Sequence, residues 1–200
     1  MRRVWTTADL GASELTRLAG SPDHQGVVAE VDPYPYADPR AVLEHPDGLI
    51  IVLDQVQDPR NLGAVCRSAE AAGAAGIVIP SRRAAAVTAV AAKASAGAVE
   101  HLPIARVTNL ADWLGVAKEA GAWVYGAQSG ADAPYTSADL TGKVVLVLGS
   151  EGGGLRRRVA ESCDLLVSIP IRGRVESLNV SAAAAVLLFE AARQRPAGNA

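Results

Sequence analysis

Three short stretches of the chain gather more polar groups than a plain connection between elements needs. RGRVESLN, residues 172–179, sets two arginines, a glutamate, a serine and an asparagine between an apolar segment and an Ala-rich one. A turn with an N-cap accounts for Asn179, and for Ser181 in the first turn that follows, but not for Glu176, Ser177 or the arginines. Arg172 and Arg174 carry the planar fork that grips a carboxylate or a phosphate through paired hydrogen bonds. LVLGSEGGGLRRR sets four glycines within six positions, Gly149 to Gly154, around Ser150 and Glu151. Glycine permits positive φ and lets a ligand approach the backbone closely. This run lacks the Gly-Lys-Ser/Thr ending of a phosphate loop and the G-x-G-x-x-G spacing of a dinucleotide fingerprint, and it comes late in the chain. DQVQDPRNLGAVCRSAEAAG offers Asn61 where an N-cap belongs and Arg67 about 9 Å further along the same helix. On spacing alone, Asn61 is a cap, Arg67 is a solvated arginine paired with Glu70 at i,i+3, and Glu151 is either a helix N-terminal charge or an anchor for its loop.

Each stretch follows a strand-length apolar segment and opens a helix. The pattern predicts strands at GVVAEV, GLIIVLD, GIVIP, EHLPIARV, AWVYGAQ, KVVLVLG and LLVSIPI. Between them it predicts helices at NLGAVCRSAEAAG, AAAVTAVAAKASAGA, NLADWLGVAKEAG, LRRRVAESC and VSAAAAVLLFEAARQR. Strands that are apolar on both faces and alternate with helices signal an α/β fold, a Rossmann-like parallel sheet flanked by helices on both faces. In such sheets ligands bind beyond the carboxyl ends of the strands, where all three polar stretches fall. Residues 1–40 are short, mixed and Pro-rich, and read as an N-terminal remnant and linker with at most a short helix and one strand. Residues 41–196 form the main domain, and 197–200 a tail.

Composition bounds the function. Two hundred residues, half of them hydrophobic, suit one domain with a short appendage. No apolar run reaches the ~18–20 residues of a membrane span, and the N-terminus lacks the apolar core of a secretory signal. Cys66 and Cys163 fit no metal spacing and suit a reducing cytoplasm. A net charge of −2 gives no overall basic surface for nucleic acid, so any such binding rests on local clusters: Arg82 and Arg83, Arg156 to Arg158, Arg172 and Arg174.

In order and wording, DPRNLGAVCRSAEAAG, LVLGSEGGGL and IPIRGRVESLNVSAAAAVLLFE resemble the three successive motifs of the SpoU branch of the SPOUT (TrmH-like) RNA methyltransferases. The resemblance runs from about His24 to Arg195. Within that branch the chain looks most like the bacterial enzymes that methylate a guanosine 2′-hydroxyl in 23S ribosomal RNA. Those relatives carry an N-terminal L30-like RNA-binding domain, of which only a stub of about twenty residues would stand here.

The resemblance implies a deep C-terminal trefoil knot, an exception to the general avoidance of knots, and 41–196 as the SPOUT catalytic domain. It implies S-adenosylmethionine as cofactor, bent between the second and third loops. Gly149, Ile169 and Leu178 would hold the adenosine largely through backbone groups. Leu148 and Ile171 would add apolar walls, with Gly152, Asn179 and Ser181 completing the cofactor site. Arg67, Asn61, Glu151, Asn179 and Ser150 make up the implied catalytic set, and Arg67, Arg172 and Arg174 the implied RNA contacts. Arginine hardly ever loses its proton, so Arg67 fits better as a phosphate holder or a stabiliser of the forming alkoxide, with the proton leaving through phosphate, water or Glu151. His24, His45 and His101 lie outside all three motifs. The resemblance further implies a homodimer, with no metal and no membrane. Alternatives within the chemistry are methylation of a transfer RNA ribose or of an antibiotic-resistance site in ribosomal RNA. Outside it stands a catalytically inactive RNA-binding or assembly factor.

Overall fold

A computed structural model describes residues 6–195; the tail expected at 197–200 lies outside them. The chain divides between Tyr34 and Pro35 into two compact units. In the first, a single helix forms among the described residues, α1 (Ala12–Ala19), and Gly20 ends it with a left-handed φ of 65°. The strand expected at GVVAEV does not form. Residues 27–31 have no regular structure, and Val27 and Val31 are 76% and 67% exposed. An extended apolar segment becomes a strand only against a ladder partner, and this one has none among the described residues.

The second unit is built on seven strands: β1 (Leu49–Asp54), β2 (Gly76–Pro80), β3 (Ile104–Val107), β4 (Trp123–Ala127), β5 (Ala133–Pro134), β6 (Val144–Gly149) and β7 (Leu165–Ser168). All paired neighbours run parallel, in the order β3-β2-β1-β6-β4-β7-β5. Two-residue β5 had no sequence signal. β7 stops at Ser168, short of the expected IPI, because Pro170 has no N–H to give to a ladder.

Every residue of β1 is buried, so both faces of the sheet need cover. Five helices supply it: α2 (Pro59–Ala71), α3 (Ala89–Ala94), α4 (Leu110–Glu119), α5 (Arg157–Glu161) and α6 (Val180–Gln194). Ile50, Val52, Val145 and Val147 cluster with Trp113 and Leu114 of α4 and Val159 of α5. By strand alternation, Ile51, Leu53, Leu146 and Leu148 point the other way, where α2 packs on α6 and α3. Each fully buried Ile or Leu contributes roughly 1.5–3 kcal/mol. α3 is shorter than its Ala-rich run suggests. The Thr88 side chain caps its start, and Gly97, at φ 90°, lies just past its end.

The topology locates the site. From β1 the chain moves outward to β2 and β3; from β6 it moves the other way, to β7. Yet β1 and β6 are neighbours, in register from Leu49↔Val144 to Asp54↔Gly149. Their departing loops diverge at the carboxyl ends, the usual place for a ligand in an open α/β sheet, and the pocket opens on the β6 side of this point.

Candidate active site

Asp54, the last residue of β1, is wholly buried. Its Oδ2 accepts from the Arg156 backbone N–H at 2.8 Å and its Oδ1 from Arg156 Nε at 2.7 Å. This pair of hydrogen bonds ties the end of β1 to the exit of the glycine run that follows β6. Next to it, Gln55 takes a left-handed φ of 61°, a costly conformation for a residue with a side chain. The glycine run closes on itself: Ser150 N–H donates to Gly154 O at 3.2 Å and Gly154 N–H to Ser150 O at 2.9 Å. A Cβ on Gly149 would lie 2.1 Å from the Gly154 carbonyl carbon, so only glycine allows this closure. Gly152 and Gly154 complete it with φ of 74° and 61°.

Beside this loop, at the carboxyl ends of β6, β4 and β7, opens a pocket of about 510 Å³. That volume falls in the range of small-molecule sites. Leu148, Ile169, Ile171 and Leu178 give it apolar walls, while Gly149, Ser150, Glu151 and Gly152 line it from the glycine run. Gln128 and Ser129, which the sequence did not single out, line the side that follows β4. Ser129 Oγ donates to the Glu176 carbonyl at 2.8 Å, joining that loop to the 169–178 loop. Apolar walls with a few fixed polar partners are what a flat heterocycle with a polar tail requires. The residues present therefore fit an adenosine-bearing cofactor.

At the pocket's edge, side chains from all three motifs meet. Asn61 Nδ2 donates to Glu151 Oε1 at 2.9 Å, and Asn179 Nδ2 donates to Asn61 Oδ1 at 3.1 Å. Asn179 Nδ2 also donates to Glu151 Oε1. Asn179 Oδ1 accepts from the N–H and the hydroxyl of Ser181, at 2.9 and 2.6 Å. Asn179 thus caps α6 and joins the cluster at once. The residues are 28 to 118 positions apart in sequence. Glu151 Oε2 keeps no partner among the described residues.

The other candidates stand further out. Arg67 is exposed on α2 and forms no ion pair among the described residues, so the expected pairing with Glu70 is absent. Arg172 and Arg174 are exposed on the 169–178 loop and are not among the pocket's walls. Asn61 is not the cap of α2. Asp58 is, accepting from Arg60 N–H at 2.8 Å with Pro59 at the first helical position, which frees the Asn61 amide for Glu151. Arg156, grouped by sequence with possible phosphate binders, is engaged by Asp54. A lone carboxylate closing a buried apolar strand was the available signal for Asp54. His45 and His101 are exposed, and His24 bonds Thr16 and Gly26. Burial pushes the Cys66 and Cys163 thiols up to about 12, which keeps both protonated and unreactive. No cluster of metal-ligating side chains occurs among the described residues, and no helix among them is long and apolar enough to cross a membrane.

Residues 48–189 match the model of the SpoU rRNA methylase family. An uncharacterized tRNA/rRNA methyltransferase of Mycobacterium sp. (strain KMS) is 49% identical over 188 residues, 92% of this chain and 60% of that protein. The chain therefore spans about three fifths of the length of such relatives. Among solved structures, the SpoU methyltransferase AviRb from Streptomyces viridochromogenes, in complex with AdoMet, superposes with a TM-score of 0.74 at 32% identity, over 80% of this chain and 65% of that one. An RNA 2′-O ribose methyltransferase superposes with a TM-score of 0.68 at 33% identity, over 82% and 60%.

Proposed function

The chain belongs to the SpoU rRNA methylase family, and on that premise we propose that it transfers a methyl group from S-adenosylmethionine to a ribose 2′-hydroxyl of RNA, with a guanosine of 23S ribosomal RNA as the acceptor. Membership also implies the family's C-terminal trefoil knot. The observation that carries the reading is the meeting of Asn61, Glu151 and Asn179 beside an apolar-walled pocket. When bound, the cofactor supplies a methyl group on a positively charged sulfur, open to in-line attack by an oxygen.

The rest is work for this chain's residues. Leu148, Ile169, Ile171 and Leu178 take the adenine between apolar surfaces, and the backbone around Gly149 and Gly152 offers fixed partners. Ser150 and Ser181 hold the loop and the start of α6. Asn61 and Asn179 are locked by their mutual hydrogen bonds, so they can orient a ribose without further ordering cost. The forming 2′-oxygen gathers negative charge as its proton leaves. Arg67, exposed and without an ion pair, steadies that charge or an adjoining phosphate. It cannot be the base, because a guanidinium does not release its proton near neutrality. Glu151 Oε2 is the free acceptor in the cluster and takes the proton directly or through a water. Arg172 and Arg174 reach RNA from the outer loop. The chain works in the cytoplasm as a homodimer, the exposed face of α6 forming the contact. Residues 1–40 act as a linker to the catalytic domain, 41–196.

The test is transfer of a tritiated methyl group to ribosomal and transfer RNA, followed by mapping of the modified nucleotide. A 2′-O-methylguanosine in 23S RNA supports the proposal in full. A transfer-RNA product keeps the chemistry and moves the substrate. Binding of RNA with no transfer at any concentration leaves only an assembly factor.

A further inference from the structure

Arg82 and Arg83 lie on the loop that follows β2, both exposed, with no ion pair to any acid among the described residues. Arg17, Arg157 and Arg193, by contrast, each pair with a glutamate of the same helix. The loop is held firmly at both ends. Ser81 N–H donates to Val107 O at 2.8 Å, and Arg106 Nη2 donates to Ser81 O at 2.7 Å. Arg106 itself stacks on Tyr36 at 5.0 Å, and the Tyr36 hydroxyl accepts from Val87 N–H at 3.0 Å. Arg83 sits at a left-handed φ of 56°, a conformation that side chains avoid unless the surroundings impose it.

The loop is also joined to the proposed active site. Ala85 N–H donates to Val56 O at 2.8 Å, and Val56 lies on the connection from Asp54 to α2, the helix of Asn61 and Arg67. β2 is the direct neighbour of β1, a lateral step of ~4.8 Å. On α2 itself, Arg60 is likewise without an ion pair among the described residues, seven residues before Arg67 and so on the same face of the helix. A chain of net charge −2 has no general attraction for a polyanion, so it must concentrate positive charge where the backbone is to lie.

We propose that Arg82 and Arg83 form a phosphate-gripping arm for the RNA strand beside the target nucleotide, continuing outward from Arg67 across the β2 side of the sheet. This rests on the reading of the chain as an RNA methyltransferase and adds which side of the target the strand takes. The contacts are to phosphate and carry no base specificity. They set affinity and register.

The experiment measures binding of a twenty-nucleotide oligouridylate, and methyl transfer to ribosomal RNA, across a series of salt concentrations. Two lost single-strand phosphate contacts lower the slope of log affinity against log salt by about 1.4. R82A/R83A is expected to show that fall and to bind about tenfold more weakly at low salt, with the melting temperature and the affinity for S-adenosylhomocysteine kept. R82K/R83K is expected to keep most of the slope. R17A/R193A, which removes the same charge from ion-paired arginines elsewhere, is expected to keep all of it. An unchanged slope in R82A/R83A, or an equal loss in R17A/R193A, overturns the arm. If the unaltered protein neither binds S-adenosylhomocysteine nor methylates any RNA, the methyltransferase reading fails instead, and the two failures stay distinct.

Discussion

In the proposed mechanism Arg67 and Glu151 divide the acceptor chemistry between them, and each role has its own signature. Arg67 forms no ion pair with a described residue and is not part of the pocket wall, so its loss should spare the cofactor. Arg67→Ala is expected to bind S-adenosylmethionine within a few-fold of the unaltered protein by calorimetry, while transfer falls by about 100- to 1000-fold, the usual cost of losing one donor to a developing oxyanion. Near-normal turnover would remove Arg67 from the mechanism. Glu151 is subtler, because its Oε1 also organises the two asparagines. Glu151→Gln keeps a carbonyl oxygen that can accept from both amides, but it has no basic oxygen to spare. If Glu151 takes the proton, turnover drops by about 100-fold or more with the cofactor affinity unchanged. If it only braces Asn61 and Asn179, glutamine serves nearly as well, and the proton must leave through water or phosphate.

Between residues and fold stand the glycine run and the bond that fastens it. Gly149→Ala forces a methyl group into the Gly154 backbone at 2.1 Å. The loop must open, at a cost of about 1–3 kcal/mol by the measure of other overpacked sites. Calorimetric binding of S-adenosylhomocysteine should vanish and the melting temperature fall. Asp54→Ala removes the buried partner of a pair and leaves the half-exposed one, Arg156, free to reach water. The loss is therefore that of two hydrogen bonds to a charged group without a stranded buried charge, about 1.5–3 kcal/mol for each. A melting temperature within a degree of the unaltered protein would contradict the clamp. These elements also mark how far sequence reading carries. The buried strands were legible, because an unbroken apolar run such as LIIVLD fits little else once helices flank it. So were the three loops, whose motifs are specific. Three of the misses show why the rest was not. The cap of α2 shifted from Asn61 to Asp58, since either residue type can cap and only packing chooses. The GVVAEV strand failed for want of a neighbour, which no local pattern reveals. The Asp54–Arg156 bond spans 102 positions, and nothing within either stretch points to the other.

At the scale of the whole molecule, α6 poses the remaining question. One face, with Leu187, Leu188 and Ala191, is buried. The opposite face follows helical spacing through Ala182, Ala185, Val186 and Phe189, and Phe189 is 54% exposed. A large aromatic kept half in water forgoes part of the ~1.5–3 kcal/mol its burial would contribute. Small alanines before it leave room for another helix to approach closely. The same α6 begins at Asn179 within the polar cluster, so a second copy seated on this face would stiffen the helix that carries an active-site amide. Phe189→Asp would place a charge in that contact without touching the buried face. Light scattering at micromolar concentration is expected to give twice the chain mass for the unaltered protein and a single chain mass for Phe189→Asp, with reduced methyl transfer in the variant. A single chain mass for both would mean that α6 stands alone and that the cluster at its start needs no support from a partner.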